Sequence, residues 1–166
     1  SSGEIELAIL ALPFETSGFN VHKFWIENFF WISKKEDPRS KKKSIKAKEL
    51  DLDELIMLEE GNCLKDHILN ACKIKNTSKI TFNASTLSTS IELVKGGIGT
   101  TLVPEMAVNK LLSANPELAK TELDEKGPHR EIALVSRINY SGERDIDKLI
   151  HLFTKELKDH KNIKVS

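Results

Sequence analysis

The sequence predicts a mixed α/β fold. Short β-prone apolar runs, segments with apolar residues at helical spacing, and the alternation of the two along the chain all point to it. Glu4 to Leu12 reads as a strand running into Pro13, its near-continuous apolar stretch suited to a sheet covered on both faces. Phe24 to Ile26 and Phe29 to Ile32 form an aromatic, β-prone stretch broken at Glu27-Asn28. Lys34 to Pro38 is polar and turn-rich, a candidate crossing between two lobes. Leu55 to Leu58 is a short strand delivering the chain to Gly61 and Cys63, and Cys63 to Cys72 reads as one short helix. Ile80 to Phe82 is another short strand.

The second half is easier to punctuate. Leu87, Ile91 and Val94 share a helical face within Ser85 to Lys95, with Ser85, Thr86 and Ser88 available as N-caps. Gly96-Gly97 ends that helix, and Ile98 to Val103 returns as a strand. Pro104 opens a helix to Leu112. Glu131 to Arg137 is a strand, and Ile146, Leu149, Ile150, Phe153 and Leu157 form one stripe of a final helix that Ser141 could cap.

The 166 residues carry 25 basic and 25 acidic side chains, a formal charge of zero, which argues against a dedicated nucleic-acid or membrane surface in this segment. The longest apolar runs, Leu7–Leu12 and Phe29–Ile32, are far short of a membrane span, and no signal-peptide pattern opens the chain. A hydrophobic content of 39% is enough for an ordinary core, in one domain or two small lobes. Lys34 to Glu49, with Arg39 and Lys41-Lys42-Lys43, is the one charge-dense stretch. Acids are interleaved and aromatics absent, so it reads as a solvated loop. Two thiols do not make a secreted disulfide scaffold, and a reducing cytoplasm is the expected location.

Those two thiols are the chemically informative residues. Cys63 follows Leu58-Glu59-Glu60-Gly61-Asn62 and precedes Leu64-Lys65-Asp66-His67; the other cysteine is Cys72. An ordinary thiol with pKa about 8.5 is only ~3% thiolate at neutral pH, so its neighbours decide its reactivity. Lys65 and a helix beginning near Asn62 would both favour negative charge at the Cys63 sulfur. Nine helical steps put the two Cα atoms about 13 Å apart, whereas a disulfide needs roughly 4.4–6.8 Å. Joining the pair therefore requires unwinding the helix. Closing so short a loop constrains the unfolded chain by only ~2.7 kcal/mol, so helical and cross-linked forms can be close in energy. The plainer alternative is a pair of unrelated, buried, inert cysteines.

Other chemistries find no support. The five histidines lie scattered, with no nucleophile elbow, Walker loop or metal-ligand spacing, and no metal or cofactor is expected. Gly96-Gly97-Ile98-Gly99 follows a helix and precedes a strand, the wrong order for a dinucleotide site.

Several segments resemble the regulatory domain of LysR-type transcription regulators. Ser2-Gly3-Glu4-Ile5-Glu6 followed by Ile9-Leu10-Ala11-Leu12-Pro13-Phe14 is similar to the family's mid-domain strand. Ala84-Ser85-Thr86-Leu87, Val94-Lys95-Gly96-Gly97-Ile98-Gly99 and Leu102-Val103-Pro104 are similar to its helix-Gly-strand-Pro signature. Leu58 to Asp66 with Cys72 resembles, within that family, the OxyR-type peroxide sensors. The likeness runs from Ser2 to about Leu157. It implies a two-lobed, periplasmic-binding-protein-like domain, with residues 1–35 and 132–166 in lobe I and 36–131 in lobe II. The family's winged helix-turn-helix, linker helix and first strand-helix-strand unit lie outside this sequence, so lobe I is expected to be incomplete.

The same resemblance implies that peroxide oxidises Cys63, the peroxidatic thiol, to a sulfenic acid. Cys72, the resolving thiol, then forms the disulfide. Lys65 and Arg137 match basic positions near the thiol, and Asp66 would orient Lys65. The family commonly has histidine where Asn62 stands; an amide can hydrogen-bond to peroxide but cannot exchange a proton near neutral pH. His67 is expected to be an exposed helix histidine. The implied partners are hydrogen peroxide, a second copy in a homodimer or tetramer, DNA through the winged helix-turn-helix, and RNA polymerase as a further candidate. One competing reading is an effector domain holding a small anionic metabolite at Ser85, Thr86 and the helix N-terminus there. The other is a thiol peroxidase, for which no reductant site is visible.

Overall fold

The computed structural model describes residues 5–75 and 80–162, with side chains as far as residue 159. Ser2 to Glu4, which carry part of the family resemblance and the expected start of the first strand, lie outside the described residues. The chain divides into two compact units, one of residues 5–26 and 130–162 and the other of residues 27–129. The crossings fall between Ile26 and Glu27 and between His129 and Arg130. The first comes ahead of the expected boundary after residue 35: one strand ends at Glu27, and the next, from Phe29, already belongs to the larger unit.

The smaller unit is a three-stranded sheet with one helix. β1 (Leu7–Leu12) and β2 (Phe19–Glu27) flank β9 (Arg130–Arg137). β1 runs antiparallel to β9 in register from Leu7 opposite Ser136 to Leu12 opposite Glu131. The apolar run Ile132–Val135 is buried throughout, as a central strand requires. β1 departs from the expectation of burial on both faces. It is the edge strand of this sheet, and Ile9 is 50% exposed. α4 (Glu143–Asn162) packs its apolar stripe on the sheet: Ile146 is buried, and Phe153 meets Phe24 of β2 at 5.9 Å between ring centroids. Gly142, one residue past Ser141, occupies the cap position, its carbonyl accepting from the Ile146 N–H at 3.2 Å.

The larger unit holds the main core. β3 (Phe29–Lys34) is its central strand, with Phe29, Trp31 and Ile32 fully buried. Around it lie β4 (Ser44–Ile45), β7 (Thr101–Pro104) and β8 (Leu118–Leu123) in the order β4-β8-β3-β7. β3 is antiparallel to β7 and β8, and β4 is parallel to β8. β5 (Ile56–Leu58) pairs in parallel with β6 (Phe82–Ala84). A Leu55–Thr100 bridge and a buried bond from the Thr101 hydroxyl to the Ile56 carbonyl (2.9 Å) join this ribbon to β7.

That junction explains Gly99. A Cβ there would stand 2.0 Å from the Glu54 carbonyl oxygen, so only glycine lets the two backbones meet. α2 (Leu87–Lys95) packs on β5 and β3, ending in a Schellman turn in which the Ile98 N–H reaches the Leu93 carbonyl and Gly97 takes φ +76°. α3 (Glu105–Ala114) starts at Pro104, its Met106 N–H capped by the buried carboxylate of Glu27 at 3.0 Å.

The charge-dense stretch after Lys34 is more ordered than a solvated loop. It contains short 3-10 turns at Pro38–Lys41 and Ala47–Glu49, with the fully buried Ile45 between them. Arg39 lies 5.0 Å over the Trp31 ring and pairs with Asp37 and Glu54.

Candidate functional site

The remaining helix, α1 (Cys63–Cys72), begins and ends on the two cysteines. β5 brings the chain to its start through a turn closed by the Asn62 N–H on the Glu59 carbonyl at 3.3 Å. Gly61, with φ +83°, supplies the left-handed residue that turn needs. Asn62 is the N-cap: its side-chain oxygen accepts from the Leu64 N–H at 3.0 Å. Cys63 is therefore the first helical residue, exposed, at the positive end of the helix.

The buried face of α1 is unusual in its polarity. Leu64, Ile68 and Cys72 form an apolar i, i+4, i+8 stripe against β5, but Lys65 and His67 are buried beside them. The Lys65 side chain is 8% exposed and its ammonium pairs with Glu60, itself 89% exposed. Burial of His67, at 3% exposure, corrects the expectation of an exposed helix histidine. Position 67 follows Leu64 by one turn, so it shares the inward stripe. Asp66 faces outward. Adjacent residues on a helix point about 100° apart, so the carboxylate that orients Lys65 is Glu60 from the preceding turn. Cys63 and Lys65, two residues apart, likewise lie on different faces.

At the far end Cys72 is 8% exposed. Burial, and secondarily the Glu125 carboxylate, push its thiol up to about 12. At neutral pH its thiolate fraction is then on the order of 1 in 10⁵. Lys73 follows in the left-handed region, φ 54° and ψ 33°, and is the one non-glycine residue with positive φ among the described residues. Its N–H reaches the Asn70 carbonyl at 3.2 Å and the Ile74 N–H reaches Leu69 at 2.9 Å, a Schellman end usually built with glycine. Lysine there costs about 1–2 kcal/mol of backbone strain.

Other expected site residues separate into two groups. β5 and β6 are parallel, with Leu58 opposite Ala84, so α1 and α2 each follow the C-terminal end of one strand of this ribbon. Thr86 is the N-cap of α2, its hydroxyl accepting from the Thr89 N–H at 3.1 Å, while Ser85 is exposed just before it. Arg137 belongs to the other unit, at the end of β9. There it lines an open groove of about 500 Å3 with Glu6, Phe19 and Tyr140. Among the described residues no group of His, Cys, Asp and Glu could hold a metal ion.

Glu60, Lys73 and Glu125 were not expected in the site. An acid five residues before Lys65 and a missing glycine after the helix were faint signals for the first two. Nothing local marks Glu125, which approaches Cys72 through tertiary folding.

Fold and site together define a two-unit α/β domain with two thiols held apart by one helix. Residues 1–158 match the model of the LysR substrate binding domain, and the chain belongs to that family. It is 37% identical over 157 residues to the HTH-type transcriptional regulator EstR of Acinetobacter baylyi, covering 90% of this chain and 50% of that protein. It is 28% identical over 161 residues to a probable hydrogen peroxide-inducible genes activator of Streptomyces viridosporus, covering 96% and 52%. Among solved structures, the reduced regulatory domain of OxyR2 from Vibrio vulnificus superposes with a TM-score of 0.80 at 32% identity, over 93% of this chain and 73% of that one. The chain spans about half the length of the curated relatives it matches. No helix among the described residues is long and apolar enough to cross a membrane.

Proposed function

We propose that this chain is the sensing part of a hydrogen-peroxide-responsive LysR-type transcription regulator, with Cys63 as the reacting thiol and Cys72 as the resolving one. A single observation carries the reading: one helix exposes the first thiol at its N-terminus and seals the second at its C-terminus. Relatives named as peroxide-inducible activators and the likeness to OxyR2 support it. EstR carries a different name, and the thiol arrangement is what favours peroxide over an unrelated effector.

The chemistry runs in two balanced steps. The Cys63 thiolate attacks one peroxide oxygen, the O–O bond breaks, and the leaving oxygen departs as water after taking a proton, giving a sulfenic acid. The Cys72 thiolate then attacks the Cys63 sulfur, the S–O bond breaks, a second water leaves, and the disulfide forms. The second step cannot occur in the folded helix, where the sulfurs lie at opposite ends and Cys72 is protonated. Melting α1 frees Cys72, lets it ionise in water, and releases the strain at Lys73. A disulfide closing a loop this short contributes only ~2.7 kcal/mol, comparable to what a ten-residue helix with few buried apolar side chains loses on melting. The two states are thus close enough for one reaction to choose between them.

Asn62 holds the helix start and presents its amide to peroxide, while Lys65, with Glu60, anchors the helix opposite Cys63. In the whole protein the remodelled segment would alter pairing of copies in a dimer or tetramer. That change would alter DNA binding by a winged helix-turn-helix and contact with RNA polymerase. The thiols act stoichiometrically.

Intact-mass measurement tests the reading. One equivalent of peroxide should consume both thiols and remove two hydrogens. Cys63→Ser should abolish the change, and Cys72→Ser should leave a sulfenic acid that dimedone traps. Survival of both thiols in excess peroxide refutes the reading.

A further inference from the structure

We propose that the groove beside the C-terminal end of α1 binds a small organic carboxylate with an apolar body. It is an open groove of about 440 Å3, a volume within the range of small-molecule sites. Its rim carries four ammonium groups, Lys46 and Lys48 around the 3-10 turn and Lys73 and Lys75 just past α1. Among the described residues none of the four has a carboxylate within ion-pair distance, although, with Lys42, Lys48 lies near enough to Glu49 to help hold its carboxyl below the usual range. Two acids lie nearby, fewer than the four lysines, and each is held by neighbouring donors. Glu49 takes Lys42 and the Lys46 N–H, and Glu125 takes the Ala47 N–H at 2.9 Å.

The lining thus combines four lysines with the apolar Leu50, Leu52 and Ile74 and with Cys72, and Glu125 is its one acid. That combination fits a carboxylate head on a hydrocarbon body. A nucleotide would need an aromatic or polar platform for its base, and the lining has neither. A bare inorganic anion would leave the apolar floor in water.

The site has a consequence for the thiol switch, and this consequence rests on the peroxide reading above. Cys72, Lys73, Ile74 and Lys75 all belong to the end of α1, so melting the helix dismantles the groove. A bound carboxylate holds the helical form and slows disulfide closure, and by reciprocity closure expels the carboxylate.

Octanoate is the probe, with octanamide as its uncharged control. Titrated into reduced protein, octanoate should give saturable amide NMR shifts at Ala47–Leu50 and Cys72–Lys75, and octanamide should give none. Replacing Lys48→Gln and Lys75→Gln together should weaken binding by about tenfold or more. Unsaturable shifts, equal binding of octanamide, unchanged affinity in the double variant, or self-association through these lysines without octanoate binding would each overturn the site. At saturating octanoate, peroxide-driven closure should slow by about fivefold; an unchanged rate overturns the coupling. Failure of any disulfide to form without octanoate counts against the peroxide reading alone, since binding is read on the reduced protein.

Discussion

Replacing Lys73 with glycine probes the energetic balance of the switch without touching either thiol. Lys73 adopts φ 54° at the end of α1, a conformation costing about 1–2 kcal/mol for a residue with a Cβ. Glycine removes that strain, but it gains more freedom than lysine when the segment melts, which offsets roughly 0.5–1 kcal/mol. The helical, reduced form should therefore gain about 0.5–1 kcal/mol over the form with α1 unwound. For a two-electron couple about 30 mV corresponds to 1.4 kcal/mol, so the midpoint potential should rise by about 10–20 mV, toward easier reduction. Redox titration in glutathione buffers, with alkylation and mass readout, measures the shift. Urea unfolding of the reduced protein should move to higher midpoint by the same free energy. A potential that falls, or one that stays put while reduced stability rises, would refute the claim that α1 unwinds on oxidation.

Three further outcomes are expected. The raised Cys72 pKa favours its neutral form in the folded state, so its contribution to stability is complete below about pH 9 and is lost progressively as pH rises toward about 12. Urea unfolding of reduced protein at pH 8 and pH 10 should show a total loss of about 1.4 kcal/mol that Cys72→Ala lacks, because the loss begins only near pH 9; an equal change in both proteins would contradict it. Asn62→Ala should cost about 1 kcal/mol through the lost cap, whereas Asn62→Asp should retain the cap; equal losses in thermal unfolding would show that the Leu64 N–H contact is unimportant. Gly99→Ala should lower stability by about 2–4 kcal/mol, because a methyl cannot coexist with the Glu54 carbonyl, and a neutral result would mean the β5–β7 junction is laid out differently.

Much of the fold was legible because its signals are local. The stripe from Ile146 to Leu157, the Gly-Gly stop after α2 and the Pro104 start of α3 each depend on residues a turn apart, and each element lies where its pattern indicates. β8 was not legible: Leu118-Ala119-Lys120-Thr121-Glu122-Leu123 is polar enough to read as loop and becomes a strand only by lying between β3 and β4. The over-reading of β1 has the converse cause. An apolar run reports what a strand could bury, and its edge position limits what is covered.

By itself the amino-acid sequence determined the α/β class, the helix between Cys63 and Cys72 and the separation of the two sulfurs, because helical rise follows from backbone geometry alone. Tertiary structure decided which thiol is exposed and which is sealed. Packing against β5 and the approach of Glu125, 53 positions away in the chain, are contacts that no spacing along the sequence encodes. It also decided that Lys65 answers to Glu60 and that His67 faces inward. Burial is a property of what surrounds a side chain, and a linear sequence specifies its surroundings only after it has folded.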